Sequence, residues 1–309
     1  MRATAAVRGA LHPLENLWKR AVPRHYQQMV IESRIAWRRE VDPQRPLPEF
    51  LIIGAQRCGT SSLYKYLEQH PFVVASLRKE TEYLSARWCK GEAWYRAHFP
   101  SARRRAFEHR LRGRPIVSFE ASPNYLFHPQ APARAARLLP EAKLVVLLRN
   151  PVDRAFSHYQ HEVRASRESL SFEEALEQEP GRLAGQEERM SADPCFRSLG
   201  WERHSYVSRG LYAEQLERWM TLFSPDRFLV LASEELYADP ASTFRRLIAF
   251  LGLADWVPKA FPNHSYGGSA SAPPASSSFP SASRKLLEER FAEPNERLYS
   301  LLGRDFGWT

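Results

Sequence analysis

Apolar runs at 50–53, 116–119, 144–148 and 228–231 interrupt a chain that otherwise reads as helical or polar, and 72–75 is a fifth run of the same kind. Runs this short, unbroken by polar positions, predict strands covered on both faces. The helical stretches between them make the expected architecture an α/β fold, a mostly parallel sheet of about five strands with helices on both sides. Helix starts are legible too. Asn150 can cap a helix that has Pro151 first and Asp153 in its opening turn. Val152, Phe156, Tyr159 and Val163 then form its apolar stripe, while Asn150, Arg154 and Ser157 lie on a polar one. Ser171 and Glu174 have capping-box spacing. Asp239 and Pro240 open a further helix that should bury Phe244, Leu247, Ile248 and Leu251 before Gly252 ends it.

Residues 1–47 read as a basic N-terminal helical arm and 48–309 as one domain, with a Ser/Pro/Gly-rich loop over 262–283. No apolar run approaches the roughly 18 residues of a membrane span, so a soluble chain is expected. The net charge of +9 points to a polyanionic partner or, more simply, to a basic solvated surface. Cys58, Cys89 and Cys195 are too few and too scattered for a disulfide framework or a metal site, which fits a reducing, cytoplasmic compartment. His158 and His161 have helical spacing but no ligand cluster around them, and read as polar helix residues.

The chemistry begins at "FLIIGAQRCGTSSLYKYL". Gly54 and Gly59 have the spacing of a phosphate-binding loop, yet Thr60 stands where that loop carries its lysine, and the only cation is Arg57. A strand, turn and helix start can hold an anion through backbone N–H groups and the helix dipole. Thr60, Ser61 and Ser62 add hydroxyls, and Arg57 adds a permanently charged fork of donors. The strand that should end in a metal-binding carboxylate for a nucleoside triphosphatase ends instead in Arg149. A nucleotide whose phosphates are met by protein cations alone is therefore favoured over a Mg-nucleoside triphosphate, and a P-loop kinase or NTPase is the same-fold alternative. A non-catalytic polyanion-binding module is the alternative from another class.

"GAQRCGTSSL", "RKETEYL", "FEASPNYLFHP", "LVVLLRNPVDRAFSHY", "RGLYAEQLERW" and "NERLYSLLGRDFGW", in that order, resemble the carbohydrate-type sulfotransferase domain, which includes heparan sulfate and bacterial members. The resemblance implies a P-loop-like fold that binds 3′-phosphoadenosine 5′-phosphosulfate (PAPS), with no metal, and transfers its sulfuryl group to a hydroxyl or amine, with carbohydrate the leading acceptor class. It implies a bacterial cytoplasmic enzyme without nucleic-acid partners. Gly54, Gln56, Arg57, Cys58, Gly59, Thr60, Ser61 and Ser62 match the 5′-phosphosulfate loop, and Arg149 with Ser157 match the 3′-phosphate pair. Arg57 stands where the family usually has lysine; arginine keeps the charge but cannot donate its proton, so its expected role is electrostatic. Glu80 matches the carboxylate that deprotonates the acceptor, beside Lys79, with Glu82 and Glu120 as competitors or acceptor contacts. The family's basic, cysteine-flanked C-terminal loop has no counterpart in 262–283; Tyr266 and Gly267, or Arg209, are the candidates to replace it.

Overall fold

The protein is described by a computed structural model covering residues 22–264 and 279–308. All five expected strands form: β1 (Phe50–Gly54), β2 (Val73–Ala75), β3 (Val117–Ala121), β4 (Lys143–Leu148) and β5 (Phe228–Ala232). They make one parallel sheet in the order β2-β3-β1-β4-β5. Leu51, at the centre, lies opposite Glu120 of β3 and Leu144 of β4. Leu51, Ile52, Ile53 and the whole of 144–148 are fully buried. Burying each such aliphatic side chain stabilises the fold by about 1.5–3 kcal/mol, which is why these strands carry no polar face.

The helices are α1 (Arg24–Val41), α2 (Thr60–Gln69), α3 (Glu92–Arg96), α4 (Ala102–Arg112), α5 (Ala131–Leu138), α6 (Pro151–Arg164), α7 (Phe172–Leu183), α8 (Gln186–Ala192), α9 (Leu199–Arg203), α10 (Tyr212–Met220), α11 (Ser233–Ala238), α12 (Pro240–Leu251) and α13 (Ser281–Leu302). The caps act as the sequence suggests. Asn150 Oδ1 accepts from the Val152 N–H at 2.9 Å, Asp239 Oδ1 from that of Ser242 at 3.0 Å, and Ser171 and Glu174 exchange both bonds of a capping box. Phe244, Leu247 and Ile248 are buried as expected, with Leu251 half-buried at the end of α12, and Gly252 ends that helix at φ 70°. Among the described residues no helix is long and apolar enough to cross a membrane.

Three expectations need correction. The polar residues of α6 are not all at the surface: Arg154 of the polar stripe is fully buried, as is His158, whereas Val163, assigned to the apolar stripe, is 41 % exposed. The reason is that α6 is covered by α7, α13 and the turn Ser208–Gly210, so its flank faces protein. Arg154 donates to the Tyr206 carbonyl within that layer. The cysteines are not all unpaired. Cys89 and Cys195 form a disulfide across a Cα–Cα distance of 5.6 Å, which weighs against a reducing compartment. Sequence separation hid the pair, because its members are 106 positions apart. The loop expected over 262–283 ends sooner, since α13 starts at Ser281. Tyr266 and Gly267, the backbone candidates within it, lie outside the described residues.

Candidate active site

The carboxyl ends of β1, β2, β3 and β4 converge on one edge of the sheet, the place where open α/β folds bind ligands. At β1 the chain turns tightly. A Cβ on Gly54 would come within 2.5 Å of Leu126, and Gly59, at φ 93°, would put one 3.0 Å from the Tyr237 hydroxyl. Gly59 is also the N-cap of α2 and makes no side-chain cap, so the first N–H groups of that helix are left for a ligand. Thr60 and Ser61 stand at this end. The side chain of Ser62 does not face it: fully buried, its Oγ accepts from the His264 N–H at 2.9 Å and so ties the segment after α12 to the loop. Cys58 is likewise turned inward, with its thiol near the carbonyl of Gln56 and the hydroxyl of Tyr212. Burial pushes that thiol up to about 11, so it is a packed, inert group.

Arg57 joins the two motifs expected to bind the nucleotide. Its backbone lies in the left-handed region at φ 71°, which a non-glycine residue adopts only where its surroundings fix it. Its Nε donates to Ser157 Oγ at 3.2 Å. Ser157 lies on α6, the helix that follows Arg149 at the end of β4. Burial, and then the neighbouring cations Arg164 and Arg149, depress the Arg57 guanidinium. None of these three arginines has an ion pair among the described residues. Glu234 is nearby, but its Oε1 accepts from the Asn150 N–H at 2.9 Å and pairs with none of the three, so mutually repelling cations at a helix start fit a multiply charged anion, and the glycine turn leaves space for it to approach the backbone. Tyr212 fixes the strand end by donating to the Arg149 carbonyl at 2.9 Å.

The residues expected on the acceptor side follow β2. Glu80 and Glu82 both have left-handed backbone, at φ 60° and φ 55°. Glu80 is exposed, pairs with Lys79 and is held by its N–H on the Ala121 carbonyl. Glu80 and Arg57 both lie within electrostatic range of His161. Glu82 is half-buried, within electrostatic range of Glu80, Arg197 and Glu202. It accepts from Ser85 Oγ and Asn124 Nδ2, and burial followed by the Glu80 charge pushes its carboxyl up to about 7.

Glu120 and Arg209 turn out to be interior groups. Glu120 is fully buried and accepts from the hydroxyls of Thr81, Tyr95, Tyr125 and Ser122. It therefore cannot touch an acceptor as expected. Ser122 in turn accepts from the Glu82 N–H and Tyr125 from the Leu84 N–H, so the carboxylate anchors the whole turn. Sequence could place Glu120 at a strand end but not show that four hydroxyls surround it. Arg209 is buried against the end of α9, donating to the Trp201 carbonyl and to Ser205 Oγ at 2.8 Å. Its guanidinium lies over the Phe127 ring, which makes it a packing group. A separate cavity of about 750 Å³ beside Phe127, Leu183 and Leu222 contains none of the loop or turn residues.

Residues 47–259 match the model of the sulfotransferase domain family, and the chain belongs to that family. It is an enzyme of sulfuryl transfer. It is 31 % identical over 291 residues to heparan sulfate glucosamine 3-O-sulfotransferase 6 of Homo sapiens, an alignment spanning 86 % of this chain and 75 % of that protein. It is 32 % identical over 217 residues to bifunctional heparan sulfate N-deacetylase/N-sulfotransferase 4 of Mus musculus, across 67 % of this chain but 22 % of that one. The crystal structure of a sulfotransferase from Alicyclobacillus acidocaldarius superposes with a TM-score of 0.61 at 33 % identity, covering 84 % of this chain and 98 % of that structure.

Proposed function

We propose that the chain binds PAPS on the loop between β1 and α2 and transfers its sulfuryl group to a hydroxyl or amine of a carbohydrate acceptor. The observation that carries this reading is the hydrogen bond from Arg57 to Ser157, which brings together the segments that match the 5′-phosphosulfate loop and the 3′-phosphate motif. Bound there, PAPS supplies an activated sulfuryl group on a phosphate leaving group. The residues supply position and charge. Backbone N–H groups at Gly59, Thr60 and Ser61 hold the 5′ side, and Arg149 with Ser157 hold the 3′ side. Arg57 stays protonated and stabilises negative charge on the transferring oxygens. Glu80, held on a strained turn, takes the acceptor proton, and Lys79 orients its carboxylate. The relatives' names, which include heparan sulfate glucosamine, support a glycan acceptor.

Adenosine 3′,5′-bisphosphate should bind without added metal and more tightly than ATP. Arg149→Ala should weaken that binding by about 1.5–3 kcal/mol, the scale of a charge-assisted hydrogen bond, and should hardly change binding of adenosine 5′-phosphosulfate, which lacks the 3′-phosphate. Calorimetry that finds Mg-dependent ATP binding to be the tighter event overturns the assignment. For the acceptor, labelled PAPS should mark a glycan pool, and label found only in lipid or phenol pools would redirect it.

A further inference from the structure

Helix α1 carries two apolar faces. Ile31 and Ile35 face the domain, with Ile35 1 % exposed. Tyr26, Met29, Val30, Trp37 and Val41 are all exposed, Trp37 at 61 %. Their spacing of i, i+3, i+4, i+11 and i+15 puts them on one stripe, opposite the first. Such a stripe is not explained by the fold, because nothing in the chain's described residues covers it. Helix α4 repeats the pattern on a smaller scale, with Phe107 65 % exposed and Leu111 one turn further on. Basic residues join the two helices. Buried Arg38 and Arg45 donate to the Ala97 and Phe99 carbonyls just before α4, which places the end of α1 beside the start of α4, and Arg34, Arg103 and Arg110 are exposed on these helices. The acidic residues of this region are all paired: Glu32 to Arg78, Glu40 to Arg39, Asp42 to Arg45, Glu49 to Arg105, and Glu108 to Arg104 and Arg112.

We propose that the α1–α4 face is a membrane-binding surface that docks peripherally on an anionic lipid bilayer. The chemistry selects this occupant. Aliphatic Met29, Val30, Val41 and Leu111 gain from hydrocarbon, Trp37 and Tyr26 suit the headgroup level, and arginines bordering the stripe meet lipid phosphates. A soluble polyanionic glycan would use the arginines and stack on aromatic rings but gains little from exposed valine, methionine and leucine. The surface is independent of the active site, since none of its residues belongs to the loop or the acceptor turn.

The test is co-sedimentation of the full chain with phosphatidylcholine vesicles, with and without about a third of phosphatidylglycerol. Binding should require phosphatidylglycerol and weaken at high salt. Trp37→Ser combined with Phe107→Ser, and separately Arg34→Gln with Arg103→Gln and Arg110→Gln, should each lower the vesicle affinity by about tenfold or more. Both variants should still bind adenosine 3′,5′-bisphosphate as the parent does, which shows that they are folded. Failure of the parent to bind the anionic vesicles, or unchanged binding by either folded variant, overturns the proposal. So does a parent dimer that Trp37→Ser dissociates, which would make a second copy the occupant, or loss of binding to a soluble sulfated polysaccharide with vesicle binding intact.

Discussion

Two glutamates two residues apart have different surroundings, and the difference separates them as candidates for the proposed base. Glu80 is exposed and paired with Lys79, whereas Glu82 is held by Ser85 and Asn124 with its carboxyl pushed up to about 7. If Glu82 were the base, turnover at saturating acceptor would rise as pH passes through about 7, because that is where its carboxyl gives up its proton. With Glu80 as base, Glu80→Gln lowers turnover by about 100- to 10,000-fold with donor affinity unchanged, and Glu82→Gln leaves the pH profile of the parent intact. Profiles of the parent and both variants settle the matter, and a step near pH 7 that vanishes only in Glu82→Gln transfers the role to Glu82. At this scale the sequence was most informative where backbone sets chemistry. Gly54, Arg57, Gly59, Arg149 and Ser157 fall together because strand ends and a helix start dictate where they go. It was least informative for Arg154, Arg209 and Glu120, whose charge suggests solvent or ligand but whose places are set by packing from distant segments.

The acceptor turn is an element built on a buried carboxylate. Glu120 collects four hydroxyls, and two of their owners, Ser122 and Tyr125, accept backbone N–H groups from the segment that follows Glu80. Deleting it leaves those hydroxyls unpaired in the interior, so Glu120→Ala should cost about 3 kcal/mol or more of stability. It should also raise the KM for acceptor, because the strained backbone at Glu80 and Glu82 loses its anchor, while the affinity for adenosine 3′,5′-bisphosphate stays near that of the parent. Denaturant melts and acceptor kinetics check the two parts separately, and an unchanged KM would reduce Glu120 to a stability residue. Strands and caps were readable from the chain because they depend on neighbours in sequence: Asn150, Ser171 and Asp239 cap where their spacing says they should. This turn was not, because its hydrogen bonds run between segments some forty residues apart, such as Thr81 and Glu120.

For the molecule as a whole, the disulfide ties the segment after the acceptor turn to the loop between α8 and α9. Arg134 makes a second link between the same regions, donating to the Leu84, Ser85 and Pro194 carbonyls. Cross-linking residues 106 apart removes much of the freedom of the unfolded chain, so Cys89→Ser should lower the unfolding free energy by about 2–4 kcal/mol. Thiol titration should find none reactive in the folded oxidised protein, one (Cys58) after unfolding without reductant, and three after reduction. A count of three on unfolding alone would show that the bond does not form.

The sheet order carries a consequence for how such an enzyme diversifies. β1, which ends in the nucleotide loop, is clamped between β3 and β4, whereas the three-residue β2 leads to the acceptor turn from the sheet's margin. Insertions or altered side chains after β2 disturb one neighbouring strand; the same changes after β1 disturb the centre of the core. The margin is therefore where the proposed acceptor side can be reshaped at least cost to the core that carries the proposed donor loop.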